Sequence, residues 1–246
     1  MQDLTVSTQV NQKRSNNIDV NKPNDIVSSK KFSKFINSSE KNYQSVAPST
    51  PKNLQGFRFT KQQAFKLKPS DFSNKDILFL AKQSLGDEAV KQIALNLKNN
   101  TSVKHLILGH NGLTSFAAAA LADLLKVNHF IGWLVLNNNK LGLFGAQYLS
   151  QGLKKNKGVK HLILDENDLL DEGLIELLRN TPQDSKLETL TLKGNHLQDG
   201  CSEAILVFIS THSHLKCLDL RQNHFSKKKL NQFKDFSKNM KLNLYC

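Results

Sequence analysis

The groups in this chain most able to do chemistry are three histidines, His105, His110 and His161, the sole tryptophan Trp133, and the carboxylates Asp165, Glu166 and Asp168. Imidazoles at regular spacing could hold zinc, and neighbouring carboxylates could serve acid–base catalysis. Spacing argues against both. If His105 and His161 sit on strands two apart in a sheet, they stand about 9.6 Å from each other across Trp133, too far to share an ion. No glycine-rich loop forms a phosphate cradle and no Ser/His/Asp set has supporting context, so the carboxylates read as an acidic patch at a strand end. Cys201, Cys217 and Cys246 make neither an even set nor a metal-ligand spacing. The expectation is a chain without catalytic residues, metal or cofactor.

What positions these residues is a repeat. Leu106 recurs as Leu134, Leu162, Leu190 and Leu218; Leu108 as Leu136, Leu164, Leu192 and Leu220; Asn111 as Asn139, Asn167, Asn195 and Asn223, each step being 28 residues. Leu113, Leu141, Leu169, Leu197 and Phe225 follow two places after each asparagine, and Leu78, Leu80, Gln83 and Leu85 fit the same frame one step earlier. Then come a small residue (Ala89, Ala117, Gly145, Gly173, Cys201) and an apolar one four places on (Ile93, Leu121, Leu149, Leu177, Ile205). The first half of each copy has the period of a short strand, the second that of an amphipathic helix. Self-similarity at this period predicts a solenoid.

The frame L-x-L-x-x-N-x-L resembles the leucine-rich-repeat family, and the 28-residue length with a helical second half is similar to its ribonuclease-inhibitor-like subfamily. The resemblance covers about two thirds of the chain, in five consecutive copies without an insertion. It implies an α/β solenoid, or horseshoe, with parallel strands on the concave face, helices on the convex face, and recognition of other proteins on the strand face. Some members of that subfamily activate GTPases through a loop asparagine and an acidic rim, here Asp165, Glu166, Asp168, Asp171 and Glu172.

Stacking strands in this register predicts columns of side chains on the open face. One runs Phe79, Ile107, Val135, Ile163, Thr191, Asp219; a second Ile77, His105, Trp133, His161, Thr189, Cys217; a third Ala81, Gly109, Asn137, Asp165, Lys193, Arg221. The first would be a hydrophobic strip about 14 Å long, with Trp133 beside it and charged groups as its rim, which is the makeup of a protein-binding hot spot. Strand propensity alone accounts for Ile107, Val135 and Ile163, but poorly for Trp133 and Phe79. The partner-binding set is therefore Phe79, His105, Ile107, Trp133, Val135, Asn137, His161, Ile163, Asp165, Lys193 and Arg221. The asparagines Asn111 to Asn223 occur in every copy and are structural, their amides serving the backbone of a bend. Asp87, Ser115, Asp171 and Asp199 are expected to cap the helices, and the small residues to let helix approach strand.

Charge is unevenly placed. The chain carries a net charge of +13, yet residues 75–214 hold 14 basic and 14 acidic side chains, residues 1–74 hold 12 and 5, and residues 215–246 hold 8 and 2. Basic termini could attract nucleic acid or an anionic membrane, but no aromatic-interleaved motif accompanies them. Residues 1–50 are rich in Ser, Asn, Gln, Lys and Thr without apolar periodicity, and are expected to be disordered. Residues 51–74 read as an N-terminal cap, with Phe57–Phe59 and Phe65–Lys68 alternating as half-buried strands. Residues 75–246 hold about six repeats and a closing strand around Leu242 and Leu244. No export signal or membrane-length apolar run is visible, so the expectation is a monomeric cytoplasmic protein. The polar N-terminal extension is similar in style to repeat proteins that intracellular bacteria deliver into host cells.

Overall fold

The computed structural model describes residues 61–238 and 240–246; the expected tail 1–50 and the Phe57–Phe59 segment lie outside the described residues. Seven three-residue strands alternate with helices: β1 Ile77–Phe79, β2 His105–Ile107, β3 Trp133–Val135, β4 His161–Ile163, β5 Thr189–Thr191, β6 Cys217–Asp219 and β7 Asn243–Tyr245. The helices are α1 Lys61–Ala64, α2 Gly86–Leu97, α3 Ser115–Leu125, α4 Gly142–Leu153, α5 Leu170–Asn180, α6 Ser202–Thr211 and α7 Lys227–Ser237. The strands lie side by side in chain order, and each pairs with the next in parallel.

Register follows the leucines. Leu78, Leu106, Leu134, Leu162, Leu190 and Leu218 stand opposite one another from strand to strand. They and the second leucine of each pair, Leu80 to Leu220, are at most 2 % exposed. Ala89, Ile93 and Leu97 of α2 and Ala117, Leu121 and Leu125 of α3 close the core from the other side. Four-residue spacing places each trio on one stripe of its helix.

The bends after β1, β2, β4 and β5 are closed by the next asparagine of the column, whereas after β3 Asn167 donates but its Oδ1 accepts no hydrogen bond. Asn139 accepts the backbone N–H of Asn111 (2.9 Å) and Leu113 (3.1 Å), and its amide donates to the carbonyls of Leu108 (3.2 Å) and Leu136 (2.7 Å). Asn223 repeats this set against Asn195, Leu197, Leu192 and Leu220. The residue one place before Gln83 and before each asparagine of the column, Lys82, His110, Asn138, Glu166, Gly194 or Gln222, has a φ between 54° and 65°. A left-handed residue turns the chain sharply enough to bring the asparagine inward.

A second asparagine series at the same period escapes the leucine frame. Asn128 donates to the carbonyls of Leu97 and Asn100 at the end of α2, and accepts from Phe130 and Ile131. Asn156 does the same for Leu125 and Asn128 at the end of α3. These amides satisfy helix carbonyls that have no partner within the helix. In the next copy Asp184 stands in that place, and α5 ends at Asn180 because Pro182 forces Thr181 into an extended conformation.

Four local expectations are corrected. Asp87, Asp171 and Asp199 do not cap their own helices: they accept from the following repeat, at Thr114 (2.7 Å), Gln198 (2.6 Å) and Ser226 (2.8 Å). Ser115 is the first residue of α3, whose cap is Thr114 accepting from Phe116. The small residues Gly145 and Gly173 serve helix-to-helix contact, since a Cβ on Gly173 would lie 3.0 Å from the Ala146 Cβ and one on Gly145 3.5 Å from the Ala118 Cβ. Residues 61–72 form α1 and a 3-10 turn, Pro69–Phe72, instead of strands; they bury Ala64 and Phe72 over the first repeat, tied by Asn96 to Leu67 and Asn100 to Phe72. At the far end it is Leu244, not Leu242, that stands opposite Leu218.

Asn139→Ala removes the acceptor of two buried backbone N–H groups, those of Asn111 and Leu113, each costing about 1–3 kcal/mol when left unmade, while Leu108 and Leu136 keep the amides of Asn111 and Asn167. Urea denaturation is expected to show a loss of about 3 kcal/mol or more, whereas Asn137→Ala on the open strand face stays within about 0.5 kcal/mol.

Candidate interaction surface on the strand face

Because side chains alternate across a strand, the residues flanking each inward leucine point to the uncovered face of the sheet. The pairing brings the sequence-expected columns together: His105, Trp133, His161 and Thr189 stand opposite in turn, as do Phe79, Ile107, Val135 and Ile163. The two columns differ in what they offer.

In the first column the rings stack. Trp133 and His161 are nearly parallel with centroids 3.7 Å apart, and His105 lies on the other side of Trp133 at 5.9 Å, tilted by 35°. Trp133 and His161 are half-buried. His161 Nδ1 lies 3.0 Å from Thr189 Oγ1, and His105 Nδ1 3.5 Å from the Asp76 carboxylate. Burial lowers the pKa of His161 to about 4, opposed in part by Glu188. Burial also lowers that of His105, with Asp76 opposing. The intervening indole keeps these two imidazoles from meeting, and among the described residues no three His, Cys, Asp or Glu side chains converge on a metal position.

The second column is flatter than a water-facing hydrophobic strip. Ile107, Val135 and Ile163 keep only 5 %, 7 % and 3 % exposure. Phe79, at the end of the row, is half-buried. The strip thus closes the floor of the face and leaves little apolar surface of its own.

Charge gathers at the other flank. Asp165 accepts the Lys193 N–H at 2.9 Å, and burial raises its pKa to about 6, opposed by hydrogen bonds from Thr191 and Lys193. Asp219, buried, forms an ion pair with Arg221, whose Nε donates to it at 2.9 Å and whose guanidinium lies 5.1 Å from the Tyr245 ring. Asn137 lies against Gly109, where a Cβ would collide with its amide. Of the remaining acids, Asp168 meets His196 at 3.1 Å and Asp171 is taken by Gln198. His110 is one of the left-handed bend residues and belongs to none of these columns.

One surface went unread in the sequence. Phe116 and Phe144, 28 residues apart on α3 and α4, project from the helix side with 76 % and 65 % exposure. Their equal phase was the available signal.

No protein-family model matches the chain, and no curated protein is similar to it. Among solved structures it is similar to "Leiomodin-1 Actin-Binding Site 2 (ABS2)", with a TM-score of 0.50 at 15 % identity over 70 % of this chain and 91 % of that one. A plant ice-binding protein follows at 0.42 and 18 %, matched over 76 % of this chain and 59 % of that one. The leucine-rich-repeat ectodomain of the plant membrane receptor kinase GASSHO1/SCHENGEN3 from Arabidopsis thaliana gives 0.37 and 21 %, over 72 % of this chain and 22 % of that one. With seven in-register parallel strands, an inward leucine pair per copy and an asparagine at each bend, the architecture is settled. The fold is a leucine-rich-repeat solenoid. No helix among the described residues is long and apolar enough to cross a membrane.

Asp165 and His161 on this solenoid's strand face titrate in opposite senses. The folded state holds the Asp165 proton more tightly than the unfolded chain, so its contribution to stability falls as pH rises from about 4 to about 6. It excludes the His161 proton, so that contribution is lost as pH falls from 6.5 towards 4. In urea denaturation over this range, the stability of Asp165→Asn minus that of the wild type should grow with rising pH, and that of His161→Gln minus the wild type with falling pH.

Proposed function

We propose that this chain is a non-enzymatic module that binds another protein across the strand face of its solenoid, with repeats of the ribonuclease-inhibitor-like type. The observation that carries this reading is Trp133, half-buried on an uncovered sheet and held by the His161 stack. A rigid aromatic presented this way gives up little conformational entropy on docking, which is why such residues dominate interfaces. Phe79, His105 and His161 extend the aromatic flank, while Asn137, Asp165, Lys193 and Arg221 supply the polar rim that orients a partner. Ile107, Val135 and Ile163 act as the floor. The leiomodin-1 structure is described as an actin-binding site, a protein-binding use of a similar fold, and use of that class is what we propose here.

The reading that this is a GTPase regulator draws less support. Of its acidic rim, Asp165, Glu166, Asp168, Asp171 and Glu172, three members, Asp165, Asp168 and Asp171, are already engaged within the array.

Affinity capture with the wild-type chain and with Trp133→Ala, followed by titration of the purified captured protein, tests the proposal. Binding should weaken by about 2 kcal/mol or more, roughly 30-fold, with the circular dichroism spectrum retained. A folded Trp133→Ala protein that binds its captured partner with unchanged affinity would overturn it.

A further inference from the structure

The helix side carries the most exposed apolar residues of the array. Phe116 is 76 % exposed, Phe144 65 %, Leu95 48 % and Tyr148 41 %, and they occur on the consecutive helices α2, α3 and α4. At about 200 Å² for a large side chain, they leave roughly 450 Å² of apolar surface in one region. That is the size at which a patch on a soluble chain marks an interface.

The relief of this patch is a ridge beside a furrow. Phe144 and Tyr148, four residues apart, form a ridge along α4. Between α2 and α3 runs a furrow of about 290 Å³ lined by Ala119 and Ala120, with Leu95 and Phe116 as walls. An apolar cavity of about 150 Å³ already accommodates benzene. The furrow therefore has room for a phenyl ring. Its rim mixes signs, with Glu88 and Asp123 against Lys91 and Lys98.

A two-fold interface must be self-complementary: whatever projects must find its recess on the same patch. A ridge one helix away from a furrow meets that condition. So does a rim carrying both charges, because inverting it against itself can bring acids opposite lysines. A partner of one charge sign would find no such match here. The apolar area alone is roughly half of the 800 Å² per partner of a standard interface, so the pairing it supports is weak.

We infer that the helix face pairs two copies of this chain, with the Phe144–Tyr148 ridge of each copy lying in the Ala119–Ala120 furrow of the other. This assigns the helix face to self-association, in place of the monomer expected from the sequence, and leaves the strand face free. The two surfaces work independently.

Sedimentation velocity on the full chain from about 1 to about 300 µM, the span in which an interface of this size can assemble weakly, tests the inference. The mass should rise from one 27.7 kDa chain towards two. Phe144→Glu and Phe116→Glu should each weaken association at least tenfold, with circular dichroism and melting temperature near those of the wild type because both side chains are exposed. Trp133→Ala should associate like the wild type. A wild-type chain that stays single at the highest concentration overturns the inference. So does association that survives both glutamate variants, or that Trp133→Ala abolishes.

Discussion

Most bends in this solenoid turn on one hydrogen-bonding constraint: backbone groups buried where a strand ends must be paired, and the neighbouring asparagine amide pairs them after β1, β2, β4 and β5. Asn139 offers one acceptor and two donor hydrogens, and the bends around Leu108, Asn111 and Leu113 present the matching set. An aspartate at that position would lack the donors, and a leucine would leave the two N–H groups unpaired while the carbonyls kept only the amides of Asn111 and Asn167. The left-handed residue just before it is the conformational cost of that placement. The common register of the strands accompanies the repetition of this solution along the column.

Much of this fold was legible in the sequence because its determinants act in phase. The leucine pairs and bend asparagines repeat at one interval, and burial treats each copy alike. The second asparagine series, Asn100, Asn128 and Asn156, keeps the same interval and could have been found. It went unnoticed because the apolar frame around it is weak and the series ends at Asp184. Asp87 was misread for a physical reason: an oxygen near a helix start can accept from its own helix or from the next repeat, and only packing distance decides. The first described residues were misread because alternation in Phe65–Lys68 suits a strand equally well until Pro69 and the burial of Ala64 favour a helical turn.

The strand face shows a subtler limit. Outward direction was inferred correctly for Ile107, Val135 and Ile163, yet outward did not mean exposed. Surface remains where the rings of Trp133 and His161 rise above that floor and where charges collect around Asp219 and Arg221. On the helix side the opposite holds. Phe116 and Phe144 stand on helices whose inner stripes already fill the core, so nothing within the array covers them.

The direction of the side-chain bonds gives the array a polarity. Bend asparagines and those at helix ends reach back to the copy before, while Asp87, Asp171 and Asp199 serve the copy after. No single 28-residue unit is therefore chemically complete: its turn is finished by its successor and its helix start by its predecessor. Cutting the array anywhere injures both fragments, though differently, one losing the closure of a turn and the other the anchor of a helix. The smallest autonomous piece is then larger than the period seen in the sequence, so recombination that shuffles single repeats would disrupt it while exchange of longer blocks would be tolerated.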